Sequence, residues 1–407
     1  MTDLTVSQIR EAARGLRYIT RVTPVIRAHW LEMLAGGPVY LKCENLQRSG
    51  SFKLRGAYTR ISRLSEQERS RGVVAASAGN HAQGVALAAA DLGVSATVFM
   101  PRSASLPKVA ATADYGATVE LVGESVEAAL AAAAVFAAET GAVMVHPFDH
   151  PDVVLGQGTV GLEIAEQVPA AKSVVVPVGG GGLLAGTALA LKGTRPNTEV
   201  FGVQAKAVAP MAGSLAARKP VPWQTPTPTM ADGIAVTDPG VVPVSVAATL
   251  VTSVVDVTEA ELADGMLQTL ERGKLVAEPA GVAGVAALLA EPDRFPTPAV
   301  IVISGGNVDP LLLNKVINRG LAAAGRFVSI TVRMTDVPGS LARLLTLLAQ
   351  AEANVLDVNH QRSDPSLNIG EVRTQVGLEM RGPAQRDELF EALAASGYDF
   401  SSRDGGS

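Results

Sequence analysis

The sequence predicts an α/β protein with doubly wound, mainly parallel sheets, followed by a small α+β module of ferredoxin-like order. Three observations carry this. Short β-branched runs (RGVVAAS, SATVFM, ATVELV, SVVVPV, EVFGVQA and AVIVIS) alternate with longer Ala- and Leu-rich stretches between about residues 72 and 320. Each run is apolar nearly throughout, as in strands covered on both faces. Gly, Asn or Pro follows most runs and a helical pattern follows that, which is the rhythm of parallel βαβ units.

In chain order, Val73 to Ala76 reads as a strand that enters a loop and then a helix. SVEAALAAAAVFAAETGA reads as a helix; Glu127 and Glu139 bracket it and its alanines are only weakly apolar, so it is not a membrane span. SVVVPV runs into four glycines and a helix, EVFGVQA is the next strand, and AVIVIS is the last of the series. KPVPWQTPTPTMADG, Lys219 to Gly233, holds too many fixed φ angles for a helix and is expected near the site or an interface. Beyond about Leu321 the texture changes to a strand (Val328 to Met334), a helix (Gly339 to Ala353) and another strand. A third strand (Glu371 to Met380), a helix (Pro383 to Ser396) and room for a final strand complete the β-α-β-β-α order of a ferredoxin-like module.

The chain has 407 residues, 47% apolar and 18% charged, enough for a large core in two or three domains. A net charge of −5 argues against nucleic acid or an anionic membrane as the main partner. The single cysteine, Cys43, excludes a disulfide framework and any multi-cysteine metal centre. The start of the chain shows no basic segment followed by an apolar one, so a soluble protein of the reducing cytoplasm is expected.

Four motifs stand at strand ends, where ligands collect in doubly wound sheets. In SGSFKLRGAY, Lys53 lies among Ser, Gly and Phe; it is either an amine buried enough to lose its proton and form a Schiff base, or a surface lysine in a polar loop. In VVAASAGNHAQGVALAA, Ser77, Gly79, Asn80 and His81 open a helix and could seat a carboxylate, or Asn80 could simply cap it. In SVVVPVGGGGLLAG, Gly179 to Gly182 let the backbone wrap a phosphate. Gly180, Gly182 and Ala185 also satisfy a loose nucleotide pattern, but the next strand ends at Gln204 instead of an acid. In AVIVISGGNVD, the hydroxyl of Ser304 could bond a ring nitrogen, or the motif merely ends the strand.

Together, S-x-K-x-R-G, S-A-G-N-H-A-Q-G, G-G-G-G-L and S-G-G-N resemble the fold type II (tryptophan synthase β-like) pyridoxal-phosphate enzymes, and within them the threonine dehydratases or ammonia-lyases. The likeness covers roughly residues 5 to 320 and includes LKCENLQRSGSFKLRGA, HPFD, GQGT, MADGIAV and AEPAG. It implies a catalytic domain over 1–320, with a smaller mobile subdomain at about 45–150, a linker at 321–326 and a C-terminal module at 327–402. It also implies pyridoxal 5'-phosphate in a Schiff base with Lys53 and the cofactor phosphate on Gly179, Gly180, Gly181, Gly182 and Leu183. Asn80 would face the ring hydroxyl, Ser304 the ring nitrogen, and Phe52 the ring itself. Ser77, Ala78, Gly79, Asn80 and His81 would hold the amino-acid substrate, and Glu278 would lie beside the ring.

The implied reaction is dehydration and deamination of L-threonine to 2-oxobutanoate and ammonia, with L-serine as a secondary substrate. Lys53 would take the α-proton and the β-hydroxyl would leave. A β-replacement enzyme or a serine racemase on the same fold is the alternative within the class; a non-catalytic amino-acid sensor is the alternative outside it. Ala78 stands where racemising relatives carry a hydroxyl, and Gln204, Val208 and Pro210 stand where those relatives have a divalent-cation site, so no metal is expected. The D-x-P-G-x-L pattern of Asp336, Pro338, Gly339 and Leu341, with Asn354 and His360, resembles an ACT domain. That implies an amino-acid effector and a homodimer or homotetramer, or else a purely structural dimerisation module.

Overall fold

The computed structural model describes residues 4–362 and 367–403, so the first three residues of the expected catalytic region and residues 363–366 of the expected C-terminal module lie outside it. The chain divides into two compact units, Met1–Asp309 and Pro310–Ser407.

The first unit holds two sheets. A six-stranded sheet runs in the order Val25–Arg27, Val39–Cys43, Ala299–Ile303, Ser173–Pro177, Glu199–Ala205, Ser253–Val257. Only the first pair is antiparallel. A four-stranded parallel sheet runs in the order Thr118–Leu121, Ala96–Met100, Val73–Ala76, Val143–Met144. The central strands Val73–Ala76, Ser173–Pro177 and Ala299–Ile303 are buried at every residue, which is why their sequences read as unbroken apolar runs.

All six runs singled out in the sequence are strands. Val39–Cys43 and Ser253–Val257 carry no such signal, because Lys42 and Asp256 interrupt them; Lys42 is nevertheless fully buried. The Pro-rich stretch from Lys219 is irregular until a short 3-10 turn at Asp232–Ile234.

Helices Pro151–Gln167 and Gly182–Thr194 pack backbone to backbone through glycines. A Cβ on Gly186 would meet the Val154 carbonyl and stand 2.6 Å from the Gly158 nitrogen, and one on Gly158 would stand 2.9 Å from the Gly186 oxygen. This contact sets the tilt of the helix that starts at the four-glycine loop.

The second unit corrects the expected boundary. A helix runs Pro310–Ala323, through residues 321–323 of the expected linker, and belongs to this unit. Its buried Val316 and Ala322 continue one apolar face past Gly320, and the chain turns only at Gly325, with φ +65°.

The strand Phe327–Thr335, helix Ser340–Gln350, strands Asn354–Gln361 and Glu371–Glu379, helix Pro383–Ala395 and strand Asp399–Arg403 follow. The antiparallel sheet is ordered Asn354–Gln361, Glu371–Glu379, Phe327–Thr335, Asp399–Arg403, the ferredoxin-like arrangement. Val328, Ile330, Val332, Val376 and Leu378 pack on Leu344, Leu348, Leu389 and Leu393.

This register separates the candidate effector residues within one chain. Asn354 and Phe327 both face Glu379, whereas Thr335 faces Glu371 at the other end of the sheet. Asn354 therefore lies a full strand away from Asp336, Pro338, Gly339 and Leu341, about 25–30 Å at roughly 3.4 Å per residue. The Asp336 carboxylate, expected to be open to an ammonium, is held by Arg362 at 2.8 and 3.2 Å. His360 bonds the Thr374 hydroxyl through Nδ1 at 2.9 Å. Gly339, with φ +89°, turns the chain into the helix Ser340–Gln350.

Overpacking of a close helix contact costs on the order of 1–3 kcal/mol. Gly186→Ala is expected to lower the thermal unfolding midpoint clearly. Gly213→Ala, in an exposed helical position with nothing within 4 Å of an added Cβ, should leave the midpoint unchanged or raise it. Equal midpoints for the two variants would refute the glycine-mediated helix contact.

Candidate active site

The two central strands of the six-stranded sheet, Ala299–Ile303 and Ser173–Pro177, are parallel and in register, with Ile301 opposite Val175. Their carboxyl ends therefore set Ser304 and the loop Gly179–Gly182 side by side, at the place where doubly wound sheets bind ligands. Ser304 is 3% exposed.

The glycines answer two demands at once. A Cβ on Gly180 would run into the Phe148 ring, one on Gly179 would stand 3.1 Å from Val236, and Gly181 has φ +96°. Packing alone thus compels glycine here. The helix Gly182–Thr194 also starts without any side-chain cap, which leaves its first N–H groups open to an anion.

Lys53 is the first residue of the helix Lys53–Ser62, with Phe52 before it and no side-chain cap. Ser51 bridges to Gly305, and the Phe52 N–H donates to the Ser304 carbonyl at 3.2 Å, so the lysine backbone is tied to the end of the central strand. The Lys53 amine donates to the Pro147 carbonyl at 3.0 Å and stands 5.2 Å from the centre of the Phe52 ring. Among the described residues it has no ion-pair partner. Burial pushes it down to about 8, against the opposing pull of Glu278.

The loop after Val73–Ala76 brings Ser77, Ala78 and Gly79 to the start of the helix Asn80–Asp91, again without a side-chain cap. Asn80 is not a cap. Its Nδ2 donates to Glu278 Oε1 at 2.5 Å, and its Oδ1 accepts from Asn307 Nδ2 at 2.7 Å.

His81 Nε2 lies 2.7 Å from the Val145 carbonyl, which can only accept, so the ring carries its proton there. Burial, with the Lys53 charge nearby, pushes His81 down to about 3. Its ring is neutral and committed, which leaves the backbone N–H as its contribution to any carboxylate seat.

His146 is also neutral, pushed down chiefly by burial; its Nδ1 accepts from the N–H groups of Phe148 and Asp149 at 3.3 and 2.8 Å. Glu278 is pushed up to about 7 by burial and by Asp232, which pairs with Lys108 at 2.7 Å.

Beneath Lys53 lies a set of buried charges that sequence reasoning did not find. The Arg55 guanidinium holds Glu44 through Nε and Nη2, both at 2.8 Å, and Glu163 through Nη1 at 2.6 Å. Lys42 donates to Glu163, to Gln167 and to the Thr23 carbonyl. Burial opposes the Arg55 charge, but Glu44 and Glu163 outweigh it and hold the group above its ordinary range. The only hint in the sequence was a Lys and a Glu flanking Cys43 at the end of an apolar run.

The structure thus brings Lys53, Phe52, Ser77 to His81, Gly179 to Leu183, Glu278 and Ser304 into one unit. It adds Asn307, Pro147, Phe148 and Asp232 as neighbours. Gln204, the residue at the expected metal position, is fully buried and its Oε1 accepts the Met211 N–H at 2.8 Å. Among the described residues no cluster of three or more His, Cys, Asp or Glu could hold a metal ion, and no helix is long and apolar enough to cross a membrane.

A family model described as pyridoxal-phosphate dependent enzyme matches residues 16–305. The chain is 46% identical over 396 residues to the L-threonine ammonia-lyase of Thermotoga maritima, covering 97% of this chain and 98% of that one. Among solved structures it resembles the processed form of threonine deaminase isoform 2 from Solanum lycopersicum, with TM-score 0.73 and 34% identity over 76% of this chain and 92% of the other. It also resembles the serine racemase of Dictyostelium discoideum, with TM-score 0.70 and 36% identity over 75% and 99% of the two chains.

A lysine lowered to about 8 is uncharged above that pH, while surface lysines remain protonated up to about 10.4. In the cofactor-free protein, labelling of Lys53 by an amine-directed reagent should rise with pH and level off above about 8. Labelling that keeps climbing in parallel with the surface lysines would show that burial does not tune this amine.

Proposed function

The chain belongs to the pyridoxal-phosphate dependent enzyme family, and from that footing we propose that it is a threonine ammonia-lyase, converting L-threonine to 2-oxobutanoate and ammonia. The observation that carries the reading is Lys53, an amine with depressed proton affinity tied by Phe52 to the strand end at Ser304. The T. maritima ammonia-lyase, alike over nearly the whole chain, supplies the choice of reaction.

The residues present fit the cofactor. An uncapped helix start at the glycine loop offers N–H groups to a phosphate, a buried hydroxyl stands at Ser304, and an amide stands at Asn80. Bound pyridoxal phosphate supplies an aldehyde for amines and an electron sink for the substrate α-carbon. Gly179 to Leu183 would hold its phosphate and Phe52 would line the site. Ser304 is a neutral hydroxyl; unlike a carboxylate it does not keep a pyridine nitrogen protonated, which favours prompt loss of a β-substituent over a long-lived carbanion.

The Ser77–His81 turn presents backbone N–H groups to the substrate carboxylate. Lys53, easily deprotonated and steered by the Pro147 carbonyl, takes the α-proton at Nζ. Ala78 has no proton to give, so nothing at this position reprotonates the opposite face, and elimination proceeds with little racemisation. L-Serine is a secondary substrate, because one methyl group contributes only about 1–3 kcal/mol of discrimination.

A β-replacement activity is the second reading on this fold, and a non-catalytic sensor a third; the amine of Lys53 argues against the third. The second unit is a regulatory module of ACT type. Within one chain Asn354 and Asp336 stand at opposite ends of its sheet, so a shared effector site requires two copies, in a homodimer or homotetramer.

Keto-acid release from threonine and serine should be abolished by Lys53→Ala and unaffected by an added thiol. Ala78→Ser should increase the D-serine recovered from L-serine. Turnover retained in Lys53→Ala, or a thiol-dependent product in place of keto acid, would overturn the assignment.

A further inference from the structure

The amide of Asn80 is held in one polarity by a chain of contacts that starts at an unambiguous acceptor. The Ser49 backbone carbonyl accepts from Asn307 Nδ2 at 2.9 Å, and a carbonyl can only accept, so the amide nitrogen of Asn307 is fixed. That nitrogen also lies 3.2 Å from Gln83 Oε1 and 2.7 Å from Asn80, so the atom Asn80 turns toward it must be the acceptor Oδ1. On the other side Asn80 Nδ2 donates to Glu278 Oε1. Glu278 is 3% exposed, and its own N–H donates to the Gly305 carbonyl at 3.1 Å. A Cβ on Gly305 would stand 3.1 Å from Asn80 Nδ2 and 3.0 Å from the Glu278 carboxyl carbon, so the glycine makes room for this contact. One N–H of Asn80 is left uncommitted.

We propose that Glu278 and Asn307 are positioning residues that lock Asn80 as a hydrogen-bond donor toward the cofactor, so that the cofactor's ring hydroxyl is held in its ionised form. The inference rests on the cofactor site assigned above. An N–H can stabilise only an oxygen that accepts, whereas a flipped amide would favour the protonated hydroxyl. Asp232, Lys108 and Lys53 are the charged groups that act on Glu278, and burial pushes Glu278 up to about 7. The neutral and the ionised carboxyl both keep an oxygen able to accept from Asn80.

The test follows the absorbance of the protein loaded with pyridoxal phosphate as a function of pH. Asn307→Asp places an acceptor against Asn80 Oδ1 and should flip the amide; Glu278→Ala removes its acceptor. Both are expected to raise the titration midpoint of the bound cofactor by about one unit, tenfold in proton affinity. Glu278→Gln keeps an acceptor and should restore the wild-type midpoint.

Unchanged midpoints in folded Asn307→Asp and Glu278→Ala would overturn the proposal, and so would a Glu278→Gln midpoint as high as that of Glu278→Ala. Should Glu278→Ala not fold, the Asn307→Asp midpoint decides alone. A wild-type protein that fails to take up pyridoxal phosphate on Lys53 would overturn the underlying site, whereas uptake without the shift overturns this inference only.

Discussion

The guanidinium of Arg55 is the fixed point of this protein. An arginine cannot shed its proton to enter a core, so its burial demands carboxylates with matched geometry. Glu44 comes from the turn after the strand Val39–Cys43 and Glu163 from the helix Pro151–Gln167, and both converge on it. The amine of Lys42, also fully buried, completes the balance through Glu163. Removing one partner would leave an unpaired charge in the interior, so the set holds the strand, the long helix and the helix that starts with Lys53 in one relative position. Lys53, on the first turn of that helix, thereby meets the end of the central strand at Ser304.

A contrast of environments is built on that frame. Arg55 keeps its charge because carboxylates surround it, while burial outweighs the more distant pull of Glu278 on Lys53 and makes that amine easily deprotonated. Glu278, whose carbonyl accepts the Gly281 N–H at 2.9 Å, is pushed upward by burial and by Asp232. His81 and His146 are kept neutral by burial, each with one ring nitrogen bound to the backbone. The two histidines of the cleft are therefore neutral, and Lys53 and Glu278 are the groups there whose proton affinity is shifted toward neutrality. Such a setting suits proton transfer to and from a carbon next to an electron sink.

The glycines show how packing and ligand binding can ask for the same residue. At Gly180 the Phe148 ring occupies the space a side chain would need, and at Gly181 the backbone is left-handed. The same lack of side chains leaves the helix N-terminus bare. In the second unit the sheet register has the opposite consequence: residues close in a motif, such as Asp336 and Gly339, stay together, while Asn354 is carried to the far end of the sheet.

The sequence by itself determined the parallel α/β class, the six apolar strands, the ferredoxin-like order of the second unit and the residues that cluster at the strand ends. These are legible because burial on both faces leaves an unbroken apolar run and because loops that meet ligands need glycine and small polar residues at fixed spacing. Only the tertiary structure decided what each polar side chain meets. Nothing in the local sequence marks Lys42 as buried; that follows only when Glu163, far along the chain, is brought against it. Asn80 is open between a helix cap and a ligand-binding residue until Glu278 and Asn307 claim its amide, and the carboxylate of Asp336 looks open until Arg362 closes on it. Charge pairing and hydrogen bonding act over a few ångströms between residues 26 to 227 positions apart, and local pattern carries no record of such distances.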